Sequence, residues 1–371
     1  MKFTCEKALL VSALSVASRT VAQKSTIPCL EGVLLRAGVA LQLTGYNLET
    51  GITVHVGAQI QEAGSCVMPA RLFFDIVRKL PDEMVSITVD HKQQVSIRAG
   101  AAFFQITAMD SEDYPELPDV NGKSGVTMPQ SALKAMISGT IFSVSENQAR
   151  PIQTGCLMEV TEDSVTMVAV DSFRLARRTW HTENAANHTL KFVVPAADLK
   201  EIERILEDSD EPVTFTLGDK HILFSIGDAL LVSRVLEGEF IDWRRVVPTN
   251  CGTVLTANVA ELTSSIERVS LIISEKVKSP VRCVFGDNMA GLPHGEHHRL
   301  RARHLLHRRE RRRAGDRLQQ PLPPLDALRV IPSEEVTLEL QNGLSPIVFT
   351  PCDKKYDFAY MVLPVRLRSN S

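Results

Sequence analysis

Cys66–Leu80 reads CVMPARLFFDIVRKL and Phe192–Leu206 reads FVVPAADLKEIERIL. Both combine a short apolar run, a proline and then apolar residues at helical spacing. A pair of strand-like runs follows each, within Val85–Met109 and within Pro212–Leu236. Glu335–Leu363 (EVTLELQNGLSPIVFTPCDKKYDFAYMVL) gives the strand pair a third time, behind Asp326-Ala327-Leu328. The spacing is about 125 residues, so the repeating unit is a whole domain rather than one turn of a solenoid.

Working outward, the first copy is predicted to open with a helix over Glu6–Thr20, whose apolar residues Leu9, Leu10, Ala13, Leu14 and Ala17 recur at helical spacing. Strands are expected at Gly32–Arg36, Leu41–Leu43 and Gly51–Val56, then a helix over Pro69–Lys79 stopping before Pro81. Val85–Asp90, Val95–Ala99 and Phe103–Met109 close the unit. The second copy has helices at Pro129–Val144 and Ala196–Leu206, with strands at Gly155–Val160, Ser164–Val170, Ala176–His181, Val213–Leu217, Ile222–Ile226 and Leu230–Leu236. Helix Val259–Ser274 and strand Val281–Phe285 open the third. This pattern is α+β, with two helices packed on a curved antiparallel sheet in each copy. Turn-forming DVNGK at Asp119–Lys123 and TNCG at Thr249–Gly252 place the boundaries, giving 1–121, 122–250 and 251–371.

The composition fits a globular chain of two to three domains: 371 residues, 44% hydrophobic and 23% charged. There is no apolar run of signal-peptide form and no 18-residue apolar span. Seven cysteines, an odd number without a CxxC pair, predict a reduced cytoplasmic protein with buried or idle thiols. No phosphate-cradling glycine loop, nucleophile motif or spaced set of metal ligands is present, so no catalytic residue, metal or cofactor is expected. An enzyme has only dispersed Asp and His residues to support it.

Tandem copies have a geometric consequence. If each joint repeats the same rotation the chain bends into an arc, and two arcs can close head to tail into a ring. An open filament or an isolated arc satisfies the same geometry.

Four stretches then carry a resemblance: Thr26–Leu35 (TIPCLEGVLL), Asp171–Leu175 (DSFRL), Gly238–Pro248 (GEFIDWRRVVP) and Met361–Leu367 (MVLPVRL). With the threefold repeat, they make the chain resemble the bacterial β sliding clamps, the processivity subunits of DNA polymerase III. The resemblance implies a head-to-tail homodimeric ring of six clamp-type domains that encircles duplex DNA, independently of its sequence, and tethers polymerase to it. A closed ring holds DNA topologically, which accommodates a net charge of only −3. Arg71, Arg78, Lys79, Lys134 and Lys200, on helices, and Lys24, Asn147 and Arg150, on loops after first helices, are the candidate DNA contacts.

The same resemblance implies a pocket for short linear peptides of polymerases, the clamp loader and repair proteins. The matching residues are Gln153, Val170, Ser172, Phe173, Arg174, Leu175, Ile241, Arg245, Val246, Val277, Leu344, Val362, Leu363, Pro364, Val365 and Arg366. An apolar cleft for leucine or aromatic anchors needs a few cationic donors at its rim, and Arg174 and Arg366 are expected to supply them. Without the resemblance, Val170, Leu175 and Val362 read as strand core. Gln153 stands where the family more often has an apolar residue, and Phe173 where it often has histidine. Ring closure is expected to use Ile76, Phe104 and Ile106 on one side and Leu271 and Ile272 on the other, for which core packing is the competing reading.

Gly291–Leu325 departs from its surroundings. It holds nine arginines and five histidines against Glu296, Glu310 and Asp316, a net of +6, so the rest of the chain carries −9. It stands where the third copy is expected to have two strands and the start of its second helix. A basic arm of a nucleic-acid-binding regulator, a histidine metal site and a solvated insert are three readings. A slipped reading frame is the fourth and the favoured one. Encoded as GGA GAT CGG CTT CAA CAG CCG CTA, Gly315–Leu322 read one nucleotide later gives Glu-Ile-Gly-Phe-Asn-Ser-Arg and the start of a tyrosine codon. Glu310–Ala314 likewise becomes Asn-Gly-Gly-Glu-Leu. That is the strand and helix start the third copy lacks, and the resemblance places an asparagine and a tyrosine of the pocket there. As written, Arg308–Arg313 would put unpaired charge on strand positions, and local disorder of 291–325 is expected.

Overall fold

Helices in this chain grow directly out of strands. In the computed structural model, Lys2–Glu6 runs without a loop into helix Lys7–Ala17, and Gly64–Pro69 into Ala70–Lys79. Gly125–Pro129 runs into Gln130–Ser138, Leu190–Pro195 into Ala196–Ile205, and Thr253–Asn258 into Val259–Ser270. The sequence reading missed all five strands. Four of the five strands end on a proline or an asparagine but no loop follows, and Pro69 and Pro129, read as helix starts, instead end strands, where a missing N–H does little harm. The structure describes residues 1–363 except 82, 123–124, 183–188, 249–250, 271–281, 287–288, 295–297, 304–305, 309–317, 322–324 and 343–344; for 269–324 it describes the backbone alone.

The repeat is visible in the pairing. The first strand of each copy pairs antiparallel with the strand that follows the second helix: Lys2–Glu6 with Met84–Val89, Gly125–Pro129 with Pro212–Leu217, and Thr253–Asn258 with Glu335–Leu340. The strand after the first helix pairs with the one before the second: Gly32–Ala37 with Gly64–Pro69, Gly155–Val160 with Leu190–Pro195, and Arg282–Gly286 with Leu318–Pro321.

That last pair corrects the expectation that the third copy lacks two strands. The third copy does have its strands: His298–Arg303, Met289–His294, Arg282–Gly286 and Leu318–Pro321 lie in that order. Arg174–His181, Ser164–Val170, Gly155–Val160 and Leu190–Pro195 have the same order in the second copy. An additional short strand, Leu306–Arg308, pairs with Thr253–Asn258. Ladder hydrogen bonds are made by backbone groups, so the order follows from the flanking segments even where the side chains are unusual. Of the run Arg308–Arg313, residues 309–313 lie outside the described residues.

Copies join by sheet continuation. The last strand of the second copy, Ala229–Arg234, pairs with the first copy's Thr50–Val56, giving an eight-stranded antiparallel sheet. The last strand of the third, Phe358–Val362, pairs with the second copy's Arg174–His181 in a nine-stranded sheet. Because each half of the second copy shares a sheet with a neighbour, the compact units cut across the repeat. One unit is 1–133 with 200–235, the other 134–199 with 236–371.

Helix Ala70–Lys79 buries Ala70, Phe73, Ile76 and Val77 and leaves Arg71, Arg78 and Lys79 exposed. Helix Lys7–Ala17 buries Leu10, Ala13, Leu14 and Ala17, whereas Leu9, grouped with them in the sequence, is 47% exposed. It sits a helical step off the stripe formed by the other four. Cys5, Cys29, Cys66 and Cys156 are buried free thiols, and burial pushes Cys66 and Cys156 up to about 12.

Gly45, on strand Leu41–Tyr46, lies under the end of the first helix, where Thr20 Oγ1 donates to the Gly45 carbonyl at 2.9 Å. A Cβ at Gly45 would stand 2.0 Å from the Ala17 carbonyl oxygen, whereas one at Gly38 meets nothing within 4 Å. Gly45→Ala is expected to destabilise the chain by roughly 1–3 kcal/mol in urea unfolding through overpacking, with Gly38→Ala close to wild type.

Candidate partner-binding site

Alternate residues of a strand face opposite sides of its sheet. Leu175, Val348, Ala359 and Met361 of the nine-stranded sheet join one core cluster; Ala176, Ile347, Phe349, Phe358 and Tyr360 join another. The second cluster is roofed by helices, through Leu262 and Ile266 of Val259–Ser270 and through Ala327 and Leu328 of helix Leu325–Arg329. The first is covered instead by an extended strap, Leu236–Val247, which contributes Phe240, Ile241, Trp243 and Val247. Helices thus occupy one face of this sheet and the strap the other.

The strap face gathers the expected pocket residues. Val170 and Leu175 are buried in its cluster, and Ile241 and Leu363 pack against it partly exposed. Val362, 8% exposed, pairs with Arg174, and the Leu363 N–H donates to the Phe173 carbonyl at 2.8 Å. The turn Asp171–Arg174 forms because the Asp171 carboxylate accepts the N–H groups of Phe173, at 2.7 Å, and Arg174, at 2.8 Å. It holds Ser172 and Phe173 outward, Phe173 at 65% exposure. Val246 is 41% exposed on the short helix Trp243–Val246, and Gln153 is half-buried. Val277, Leu344, Pro364, Val365 and Arg366 lie outside the described residues.

Arg174 departs from expectation. Its Nε donates to Asp171 Oδ2 at 2.8 Å, its Nη1 to Asp326 Oδ2 at 3.4 Å, and its guanidinium lies over the Phe142 ring at 5.8 Å. It braces the sheet rather than offering a free rim donor. Arg245 is the more open cation, with an 87% exposed side chain and an ion pair to Asp242 at 3.0 Å. Neither Asp326 nor Trp243 was singled out for the site in the sequence; Trp243 stood in the GEFIDWRRVVP stretch.

Beside the apolar cluster the same face carries charge. Glu159, 6% exposed, accepts from Trp243 Nε1 at 3.2 Å and pairs with Arg244 at 2.9 Å and Lys191 at 3.4 Å. Asp357 pairs with Arg177 and, at 2.8 Å, with His181. Burial alone would raise the Glu159 carboxyl; hydrogen bonds from Arg244 and Trp243 and the Arg244 and Lys191 charges outweigh it, and the net shift is downward. Asp357 is also lowered, burial being outweighed chiefly by the hydrogen bond and charge of Arg177 and then by His181.

The other expected contacts sit as follows. Arg71, Arg78, Lys79 and Lys200 are exposed on helices, Lys134 is half-buried on its helix, and Lys24, Asn147 and Arg150 are exposed on loops. Arg78 is already paired with Asp75 at 3.2 Å and stacked on Phe74. Asn147 Oδ1 accepts the Ala149 N–H at 3.0 Å, shaping its own turn. On the edge strand Ala102–Thr107, Phe104 is 40% exposed and Ile106 half-buried, beside Phe103 at 49%. Ile76 is in the core, and Leu271 and Ile272 lie outside the described residues. Among the described residues there is no group of three metal-ligating side chains and no helix long and apolar enough to cross a membrane.

A sheet with helices on one face and a strap on the other, in a chain built of repeated joints, points to a clamp-type protein, and comparison with known proteins agrees. The family model for the N-terminal domain of the DNA polymerase III beta subunit matches residues 1–118, and that for its central domain matches 127–242. The beta sliding clamp of Bacillus subtilis (strain 168) is 31% identical over 284 residues, 74% of this chain and 75% of that protein. That of Synechocystis sp. is 29% identical over 402 residues, covering 99% of this chain and all of the relative. A crystal structure of the DNA polymerase sliding clamp from Bacillus subtilis superposes with a TM-score of 0.92 at 28% identity, over 99% of this chain and 100% of that one. The chain belongs to the beta sliding clamp family.

Glu159 and Asp357 both have lowered carboxyl values, so the stability they contribute is complete above the ordinary carboxylate range and lost as pH falls through the lowered values. The near-ultraviolet circular dichroism of the strap tryptophan is expected to hold from neutrality down to the ordinary carboxylate range, about pH 4, and to be lost as pH falls below it. Glu159→Gln should remove part of that acid dependence.

Proposed function

We propose that this chain is a DNA sliding clamp, a non-catalytic cytoplasmic ring of two copies that encircles duplex DNA and tethers polymerase, clamp loader and repair proteins by short peptides bound at the strap face. Taking the copies as 1–121, 122–250 and 251–371, one observation supports closure above others. The joint between a copy's last strand and its neighbour's third strand after the first helix occurs twice, as Ala229–Arg234 with Thr50–Val56 and as Phe358–Val362 with Arg174–His181. Its two halves recur unpaired: Ala102–Thr107 and His298–Arg303 are both sheet edges among the described residues. Pairing one chain's Ala102–Thr107 with its partner's third copy repeats the joint, and doing so twice closes a ring with no free edge at the joints.

Closure makes retention on DNA topological. The protein is expected to stay on a circular duplex after a wash and to be released when the circle is cut once, as read by gel filtration of the complex. A regulator using the basic 291–325 segment would instead bind linear DNA with an affinity that falls steeply with salt. Phe104→Asp, at an exposed edge position, should halve the mass in sedimentation and abolish retention, while leaving the thermal midpoint within a few degrees.

We further propose that Gly291–Leu325 records a frame slip and that the natural third copy carries Glu-Ile-Gly-Phe-Asn-Ser-Arg-Tyr near 315–322. Sequencing the gene across this interval should show two compensating single-nucleotide differences; a clean read encoding the arginine run in frame would contradict this.

A further inference from the structure

The strap is attached to the sheet by two different kinds of contact. Phe240, Ile241 and Val247 lie on the apolar cluster of Leu157, Leu175 and Val193. Glu159, Arg177 and Lys191 stand two residues further along the same strands, so they share that face. Trp243 and Arg244 lie over these charges: the Arg244 guanidinium stacks on the Trp243 ring at 4.3 Å, and Arg177 approaches the same ring at 5.8 Å. The Glu159 carboxylate is nine-tenths buried and receives both the indole N–H and the Arg244 guanidinium. The next two residues are Arg245 and Val246, both exposed and both pocket candidates.

We propose that Glu159 is the positioning residue of the peptide site. Resting on the peptide-pocket reading above, it assigns to Glu159 the part of locking Trp243 and Arg244, so that the one-turn helix Trp243–Val246 presents Arg245 and Val246 at the pocket rim. The four-residue helix has no side-chain cap of its own and buries none of its residues fully. Its orientation therefore comes from outside, from an apolar anchor on each side and one polar lock between them. An apolar contact is tolerant of sliding, whereas a carboxylate that must meet an indole N–H and a guanidinium at once fixes both register and rotation. Glu159 touches no bound peptide in this account; it acts through the strap.

The test is a double-mutant cycle on peptide affinity, read by fluorescence anisotropy with a labelled synthetic peptide carrying leucine and phenylalanine anchors and a free C-terminal carboxylate. Glu159→Gln and Trp243→Phe, each of which keeps shape but removes part of the lock, should each weaken binding about tenfold, and the double variant should be hardly weaker than either single one. Retention on circular DNA should be unchanged in all three, since no residue of the lock belongs to the edge strands Ala102–Thr107 and His298–Arg303. Wild-type affinity in Glu159→Gln, or losses that simply add, would overturn the positioning role while leaving the pocket standing. If the wild-type protein does not bind the peptide and Val246→Asp changes nothing, the pocket reading fails, and the lock with it.

Discussion

Edge-to-edge pairing between the last strand of one copy and the third strand after the first helix of its neighbour is the constraint on which the structure depends. An open sheet edge is a row of unsatisfied N–H and C=O groups, and a chain that ends in one tends to acquire a partner. Here the joint is made by Leu231 opposite Ile52 and by Tyr360 opposite Ala176, both in antiparallel ladders. Each joint fuses half of one copy with half of the next, so the compact units of the chain are not its repeats. The same pairing leaves one half-joint at each end of the order, which is a reason for the protein to exist as more than one chain.

The division of labour follows from the two faces of the nine-stranded sheet. One is covered by helices, through Leu262, Ile266, Ala327 and Leu328. The other is left to an extended strap, which covers less and leaves Val246 and Phe173 exposed around buried Val170 and Leu175. A strap is a weak cover unless it is tied. The buried carboxylate of Glu159, satisfied by Trp243, Arg244 and Lys191, ties it with charge-assisted hydrogen bonds whose loss would leave charge uncompensated in a partly dry site.

Much of this was legible in the sequence, for physical reasons. The repeat stood out because Phe73 and Ile76 and their counterparts Leu199 and Ile202 must meet the same kind of sheet. Gly155–Val160 and Ser164–Val170 were readable to the residue because continuous apolar runs, buried at nearly every position, are bounded by turn-forming residues. The strands preceding helices were not, since each runs into its helix with no loop between them, and the proline or asparagine closing four of the five reads equally well as a helix start. Nor was the state of Arg174, which depends on Asp326, 152 residues away. In Gly291–Leu325 the side-chain pattern argued against strands, yet the backbone order of the other copies is kept. Pairing there is inherited from Arg282–Gly286 and its neighbours rather than specified by the local sequence.

The central claim, that the edge Ala102–Thr107 is completed by a second copy of the chain, is tested most directly by amide hydrogen exchange of that strand at several protein concentrations. The account predicts that its outward-facing amides are protected at micromolar concentration and lose that protection on dilution, while those of Gln94–Ala99, paired within the chain, do not change. Exchange of Ala102–Thr107 at the rate of a free edge, unaltered at every concentration, would contradict it.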